Sequence, residues 1–229
     1  MPLLLYTVTM ERQFQLTQNW KFIIITGLAA VFLDNCLIRL AWYLKIDLYL
    51  DTVFTVAAAF YGGLVAGLIP AVLTTVVNSI IYYVTTGEIY YWAWYLYIIC
   101  AVLAVILVRL FLRLFGSKGK NGRSPVLLLI MLITLSVAMC VVISVSGGII
   151  GTCIALIGNV DSVDTPPETW FRLGLLQQGF GLLASEILGR FPVNMAERPL
   201  VVFAGYGIAF LAKKLYPPKP GAGEAPAAP

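Results

Sequence analysis

Residues 125–157 read PVLLLIMLITLSVAMCVVISVSGGIIGTCIALI and contain no aspartate, glutamate, lysine or arginine. A helix needs about 20 apolar residues to cross the hydrocarbon core of a bilayer. The rest of the chain has the same character, since 60% of its 229 residues are hydrophobic, 11% are charged and the mean hydropathy is +0.91. A soluble domain carries far more charge. Because the apolar runs do not alternate as barrel strands do, the sequence predicts an all-α bundle of membrane-spanning helices.

The lengths of the apolar runs and the residues at their ends predict six transmembrane helices within one domain, residues 1–216. The predicted spans are 22–44, 51–69, 71–84, 91–115, 125–157 and 199–215. Pro70 interrupts the second run, so we expect a tight turn between two close-packed helices within residues 62–70. Gly147 and Gly148 permit a bend in the fifth span.

The predicted orientation of the chain in the membrane depends on whether residues 171–188 cross it. This segment is apolar but carries several polar side chains. Counted as a span, this segment would put Lys213 and Lys214 outside. We therefore expect it to be an outward, half-buried helix, which leaves both termini in the cytoplasm. Residues 217–229, rich in proline, alanine and glycine, are expected to be a disordered cytoplasmic tail. The basic residues predicted to be inside are Lys118, Lys120, Arg123, Lys213, Lys214 and Lys219, and the acidic residues predicted to be outside are Asp47, Asp51, Glu88, Asp161, Asp164 and Glu168.

Composition argues against several classes of function. The chain has no histidine, and its four cysteines are scattered through apolar runs without a C-x-x-C pair. We therefore expect no metal site, and we interpret the cysteines as small apolar residues. No phosphate-binding loop or catalytic motif is present, so we expect neither an enzyme nor a bound cofactor. The basic runs are too short to predict nucleic-acid binding.

Polar side chains inside apolar runs are the candidate ligand contacts, because such groups are costly in lipid unless they are paired or face a cavity. Asp34, Asn35 and Arg39 fall in the outer half of the first span, and Asn78 falls in the third. Each also has a structural interpretation, since Asp34 and Arg39 could form an ion pair and Asn78 could bond across helices. Segment 171–188 adds Arg172, Gln178 and Glu186 as candidates.

Aromatic residues cluster on the predicted outer side. They are Tyr82, Tyr83, Tyr90, Tyr91, Trp92, Trp94, Tyr95 and Tyr97. An interfacial belt is the ordinary explanation for such a cluster. A stacking wall for a flat heterocycle is the alternative. Both can hold, because only one face of a helix meets lipid, and the second makes Tyr82, Trp92, Trp94 and Tyr95 candidate substrate contacts.

Small residues recur at every fourth position through the predicted second and third spans. They are Thr55, Ala59, Gly63, Gly67, Ala71, Thr75 and Ser79. A similar series in the fifth span comprises Ser136, Cys140, Ser144, Gly148 and Thr152. Such ridges allow another backbone to approach closely. They predict either internal packing or a docking face for another membrane subunit.

Two stretches resemble the S components of energy-coupling-factor transporters, which are the substrate-binding membrane subunits of vitamin uptake systems. The first is LDTVFT at residues 50–55 with YGGLVAGLIP at residues 61–70. The second is FPVNMAERP at residues 191–199 with VVFAGYGI at residues 201–208. Related runs also occur in multi-span sensor domains of membrane histidine kinases.

The resemblance implies a subunit that captures a vitamin or other small nutrient at the bacterial cytoplasmic membrane. Its implied partners are membrane lipid, a transmembrane coupling subunit and ATP-binding subunits. S components often dock through an alanine pair four residues apart in the first span, where this chain has Thr26 and Ala30. We therefore include Ala59, Gly63 and Gly67 as an alternative docking face. The alternative function is a multi-span sensor that signals through a separate cytoplasmic partner.

Overall fold

The computed structural model describes residues 20–46, 48–89, 91–115, 125–158 and 166–216. Their helices are α1 (Trp20–Tyr43), α2 (Val53–Thr86), α3 (Ile98–Leu114), α4 (Pro125–Gly158), α5 (Pro166–Gln177) and α6 (Leu182–Leu215), with a 3₁₀ turn at Trp92–Tyr97 before α3. The described residues contain no strand, which confirms the all-α bundle. The predicted tail 217–229 and the basic residues 118, 120 and 123 lie outside the described ranges.

Helix α2 is a hairpin of two helical arms, with its reversal at Gly63. Gly63 has φ 91° and ψ −168°, a conformation that essentially only glycine adopts. A Cβ on Gly67 would lie 2.8 Å from the Cβ of Ala59, although eight residues of straight helix span about 12 Å. The chain therefore folds back on itself between the short arm (residues 53–62) and the long arm (residues 64–86).

Contacts with α1 give the direction of each arm. Phe22 packs edge-on against Tyr61, with ring centroids 5.2 Å apart, and Asp34 bonds to residues 54 and 55, so the short arm runs antiparallel to α1. Gly27 packs on Ile69 and Arg39 bonds to Asn78, so the long arm runs parallel to α1. Ten residues of helix reach only about 15 Å, half of a bilayer core. The short arm is a half-helix.

This corrects the predicted spans. Five described segments are long and apolar enough to cross a membrane, at Trp20–Tyr43, Val53–Thr86, Trp92–Leu114, Pro125–Ile157 and Leu182–Leu215. The predicted second span, 51–69, is replaced by the half-helix and the reversal. The predicted turn does occur within 62–70, but Gly63 makes it, and Pro70 lies inside the long arm.

The last third of the chain also differs from the prediction. The expected helix 171–188 is divided between α5 and α6, with a turn through Gln178 and Gly179. Helix α6 begins at Leu182 and continues past Pro192 and Pro199, whereas the last span was predicted to begin at 199. Proline is tolerated inside membrane helices where neighbouring groups satisfy the freed backbone. The predicted boundaries at residues 188 and 199 therefore lie inside α6, which is one continuous helix.

Helices α4 and α6 form the most extensive contact of the bundle. A Cβ on Gly148 would lie 2.7 Å from the Cα of Ile187, and Cys100 lies 3.4 Å from Ser146 across α3 and α4. The small-residue series of α4 therefore serves internal packing, and α4 continues as one helix through Gly147 and Gly148, where a bend or break was considered possible.

The two ends of the bundle differ in character. We call the end where α1 finishes and α3 begins the Trp92 end, and the opposite end the Trp20 end. An apolar core fills the half towards the Trp20 end, where the short arm, α3, α4 and α6 meet. Its buried members include Val56, Ala59, Val105, Val108, Met131, Leu135, Met139, Val201 and Val202. The polar side chains collect nearer the Trp92 end.

Candidate functional site

Buried carboxylates hold the backbone where the short arm begins. The Asp34 carboxylate accepts hydrogen bonds from the backbone N–H groups of Phe54 (2.8 Å) and Thr55 (2.9 Å), and from the Thr55 hydroxyl (2.7 Å). The first N–H groups of a helix lack intrahelical partners, and negative charge is favourable there. Asp34 lies well inside α1, so this half-helix begins deep within the bundle. The structure thus gives Asp34 a structural contact, but with the short arm rather than with Arg39, the partner that its structural interpretation named.

Glu197 does the same for the irregular segment before the short arm. Its carboxylate accepts the backbone N–H groups of Tyr49 (3.4 Å) and Leu50 (3.2 Å). Arg198 donates to Glu197 at 2.7 Å and to the Thr52 hydroxyl at 3.3 Å. Irregular backbone inside an apolar bundle is tolerated only where protein groups satisfy it. This pair is therefore needed for residues 48–52 to enter the bundle.

Asn194 extends this arrangement across the bundle. It accepts a hydrogen bond from Arg198 Nε at 3.0 Å and donates to Ser144 of α4 at 3.0 Å. Asp51 lies beside the same arginine. Removal from water raises the pKa of the Asp51 carboxyl, and the Arg198 cation opposes that rise.

A second set of charges joins α5 to α6. Arg190 donates to Glu168 at 2.9 Å and to Glu186 at 3.2 Å, and Arg172 donates to Glu186 at 3.1 Å. The Tyr49 hydroxyl donates to Glu168 at 2.6 Å, which connects this set to Glu197. All six charged side chains are at most 6% exposed: Glu168, Arg172, Glu186, Arg190, Glu197 and Arg198. We call these six residues the ion network.

The ion network is balanced in charge, with three arginines and three glutamates. The bundle is also shaped around it. A Cβ on Gly151 would lie 2.6 Å from Glu186 Oε2, and Arg190 also donates to the Tyr97 hydroxyl at 3.1 Å. Buried charges are tolerated when they are paired and further hydrogen-bonded. The paired charges of the ion network therefore indicate a structural role, in which they join α5, α6 and the segment before the short arm.

Polar residues on α1 and the long arm form a different arrangement. Arg39 donates from Nη2 to the Asn78 side-chain oxygen at 2.7 Å. Asn35 lies one helical turn before Arg39 on α1 and is 5% exposed. Thr74 lies one helical turn before Asn78 on the long arm and is 6% exposed. Because the two helices run parallel, the pairs form two adjacent rows. We call Asn35, Arg39, Thr74 and Asn78 the polar strip.

The polar strip is not satisfied internally. Asn35 Nδ2 donates to the Val31 carbonyl at 2.9 Å, but Asn35 Oδ1, Arg39 Nε and Thr74 Oγ1 are buried without a hydrogen-bond partner among the described residues. Within those residues Arg39 has no carboxylate at ion-pair distance, and its partner is a neutral amide. Buried polar groups are nearly always paired. The strip therefore has unused hydrogen-bonding capacity among the described residues.

A cleft of about 250 Å³ opens further along the long arm, towards the Trp92 end. Ser79, Ile80, Tyr83, Ile89 and Tyr95 line it. The Tyr95 hydroxyl donates to Ser79 Oγ at 2.6 Å, which ties the 3₁₀ turn to the long arm. Ser79 follows Asn78 along the long arm, but no residue of the polar strip lines the cleft.

The predicted pocket residues divide between these places. Arg39 and Asn78 meet in the polar strip, whereas Arg172 and Glu186 meet in the ion network. Tyr82 bonds to Glu88 at the Trp92 end, and Gln178 is exposed in the turn between α5 and α6. Trp92 is 59% exposed, while Trp94 is half-buried with Tyr91 against it, ring centroids 6.0 Å apart.

The predicted docking residues lie mostly within the bundle. Ala30 and Ala59 are buried, Gly67 packs on Ala59, and Gly63 makes the reversal. Thr26 is half-buried near Gly62. This placement favours internal packing for Ala59 and Gly67, the first of the two interpretations of the ridge.

Sequence reasoning overlooked most of the ion network, although a signal was present. Glu186, Arg190, Asn194 and Arg198 recur at every fourth position, which places them on one helix face. A polar row of this kind in an apolar helix predicts a partner row inside the bundle. It was missed because residues 191–199 were interpreted as the approach to the last span, whereas they lie inside α6.

Comparison of the chain with protein-family models, with curated proteins and with solved structures finds no match.

Proposed function

We propose that this protein is a substrate-capture subunit of a membrane uptake system, and that the polar strip forms the polar part of its binding site. The observation that carries the proposal is Arg39, a cation between apolar helices whose described partner is the neutral Asn78 amide. An ionisable group in such a segment is a functional candidate by default, because leaving it without a counter-charge is costly. A bound substrate would supply what the strip lacks.

The surroundings of the strip support the same function. A cleft further along the long arm opens near the Trp92 end and is lined mostly by aromatic and aliphatic side chains, a composition common in small-molecule sites. The positive-inside pattern puts that end outside the cell, where a nutrient would arrive. The chain has no ATP-binding motif, so the proposal includes a transmembrane coupling subunit and ATP-binding subunits as partners in a bacterial cytoplasmic membrane.

The test is ligand retention by the purified full-length chain. The protein in detergent is dialysed against an aqueous extract of bacterial cells, separated, and extracted for mass spectrometry. We expect at least one small molecule to be enriched with the parent and depleted with Arg39→Gln. Lys214→Gln, at the Trp20 end, is the control and should retain the molecule. A parent that enriches nothing relative to an unrelated membrane protein contradicts the proposal.

A second measurement separates uptake from sensing. Cells that co-produce the chain with its candidate coupling and ATP-binding subunits should accumulate the retained molecule, and Arg39→Gln should abolish that accumulation. Binding without ATP-dependent accumulation would contradict the transport role and favour a sensor.

A further inference from the structure

The charge and hydrogen-bonding pattern of the polar strip restrict the chemistry of its ligand, an argument that rests on the proposed function. The guanidinium of Arg39 donates one Nη2 proton to Asn78, and this hydrogen bond orients the planar group. Its Nε is buried without a hydrogen-bond partner. A guanidinium presents parallel N–H groups that match the oxygens of a carboxylate or phosphate. A water molecule could satisfy the N–H groups but could not neutralise the charge.

Asn35 requires a hydrogen-bond donor on the ligand, whereas Arg39 requires an acceptor. Its Nδ2 faces the Val31 carbonyl, which can only accept a hydrogen bond, so the assignment of the amide is fixed by chemistry. The remaining Oδ1 is a buried acceptor that needs a donor. Asn35 and Arg39 are four residues apart on α1, a rise of about 6 Å. Thr74, one turn before Asn78, contributes a hydroxyl that can donate or accept.

We infer that the polar strip binds a small anion with a carboxylate or phosphate group on Arg39 and an N–H or O–H group, about one helical turn away, on Asn35. The same chemistry occurs in water-soluble nutrient acids and in the headgroups of phospholipids. Both sources supply the counter-charge that Arg39 lacks among the described residues, and both supply a donor for Asn35.

The first test does not depend on knowing the ligand. In ligand-free, extensively dialysed protein, Arg39→Gln should unfold thermally at the same temperature as the parent or higher, because it removes a cation that has no carboxylate partner among the described residues. Arg190→Gln, the matched change in the ion network, should lower that temperature. If Arg39→Gln lowers it as much as Arg190→Gln does, Arg39 is a structural residue and the inference fails.

The second test identifies the class. The parent, Arg39→Gln, Arg39→Lys and Asn35→Leu are dialysed in separate arms against an aqueous extract and a lipid extract of bacterial cells. We expect the compounds enriched by the parent to be anions. Arg39→Gln should lower their retention about ten- to a hundredfold, the effect of losing hydrogen bonds to a charged group. Arg39→Lys should retain part of the affinity, and Asn35→Leu should lose about tenfold.

The outcomes separate the inference from the proposed function. Enrichment of neutral or cationic compounds, or equal retention of an anion by parent and Arg39→Gln, overturns the anion site and leaves substrate capture standing. No enrichment in either arm contradicts both. Enrichment in the aqueous arm assigns the site to a soluble acid. Enrichment only in the lipid arm supports the anion chemistry but assigns it to a headgroup, which contradicts nutrient capture.

Discussion

Arg190 and Arg39 both lie between apolar helices, yet their surroundings are opposite. Arg190 contacts two glutamates, a tyrosine hydroxyl and, with its guanidinium 5.6 Å from the ring centroid, the face of Tyr97. Arg39 contacts the Asn78 amide. The other two strip residues, Asn35 and Thr74, carry buried polar atoms without a hydrogen-bond partner among the described residues. A buried cation that is paired with carboxylates fastens helices together. A charge with neutral partners leaves part of its interaction energy for another molecule.

The largest effect should come from breaking the ion network at its shared acid. Glu186→Gln removes the counter-charge of Arg172 and one of the two counter-charges of Arg190, and breaking a buried pair typically costs about 3–5 kcal/mol. We expect a loss of that size in the free energy of unfolding, measured by denaturant titration in detergent micelles. The control is Glu88→Gln, the same change at an exposed residue, which should alter stability by less than about 0.5 kcal/mol. Equal effects would contradict a structural role for the network.

Asp34→Asn tests the carboxylate that begins the half-helix. The amide keeps one acceptor oxygen but turns an NH₂ group towards the backbone N–H groups of Phe54 and Thr55. Since a hydrogen bond to a charged group contributes about 1.5–3 kcal/mol, we expect a destabilisation of about 2–3 kcal/mol. Hydrogen exchange at the amides of residues 54 and 55 should accelerate. Unchanged exchange there would show that Asp34 does not hold the start of the short arm.

Gly63→Ala tests the reversal itself. A side chain at φ 91° and ψ −168° is strained, and residues forced into such regions cost on the order of 1–3 kcal/mol. Gly174→Ala in α5 is the control, because Gly174 has open space around its Cβ position and alanine favours a helix. The first variant should unfold at lower denaturant than the parent, and the second should not. A neutral Gly63→Ala would mean that α2 does not fold back at this residue.

The sequence was sufficient for the fold class because lipid allows few alternatives to packed helices. It was insufficient for the half-helix, since a short apolar segment such as 53–62 has the same composition whether it crosses a membrane or stops midway. The stop is set by Asp34 and Glu197, whose contacts with residues 49–55 arise only after distant segments meet. Long-range pairing of this kind has no local signal.

The candidate site, like the fold, was predicted only in part from the sequence. Arg39 and Asn78 were both identified from their cost in an apolar segment, and the structure joins them. Thr74 was not identified, because a threonine is unremarkable in a membrane helix and only its burial without a partner distinguishes it. Arg172 and Glu186 were assigned to the same pocket, but they form an ion pair with each other, and Glu186 also pairs with Arg190.

The smallest effect should have the opposite sign. Asn78→Asp puts a carboxylate where the amide oxygen now accepts from Arg39 at 2.7 Å. If Arg39 lacks a counter-charge, the new ion pair should stabilise ligand-free protein, by about 1 kcal/mol for a partly exposed pair. It should also abolish retention of anions, because the guanidinium would already be neutralised. Thermal unfolding and the dialysis assay measure the two consequences on one sample.

A double-mutant cycle decides whether that gain belongs to the pair. In an Arg39→Gln background the same Asp substitution should destabilise, since it then places an unpaired carboxylate beside α1. Asn78→Leu removes the hydrogen bond without adding charge and should destabilise in the parent background. If Asn78→Asp destabilises the parent as Asn78→Leu does, Arg39 already has a negative partner. The polar strip would then be satisfied in the same way as the ion network, and the contrast between the two regions would disappear.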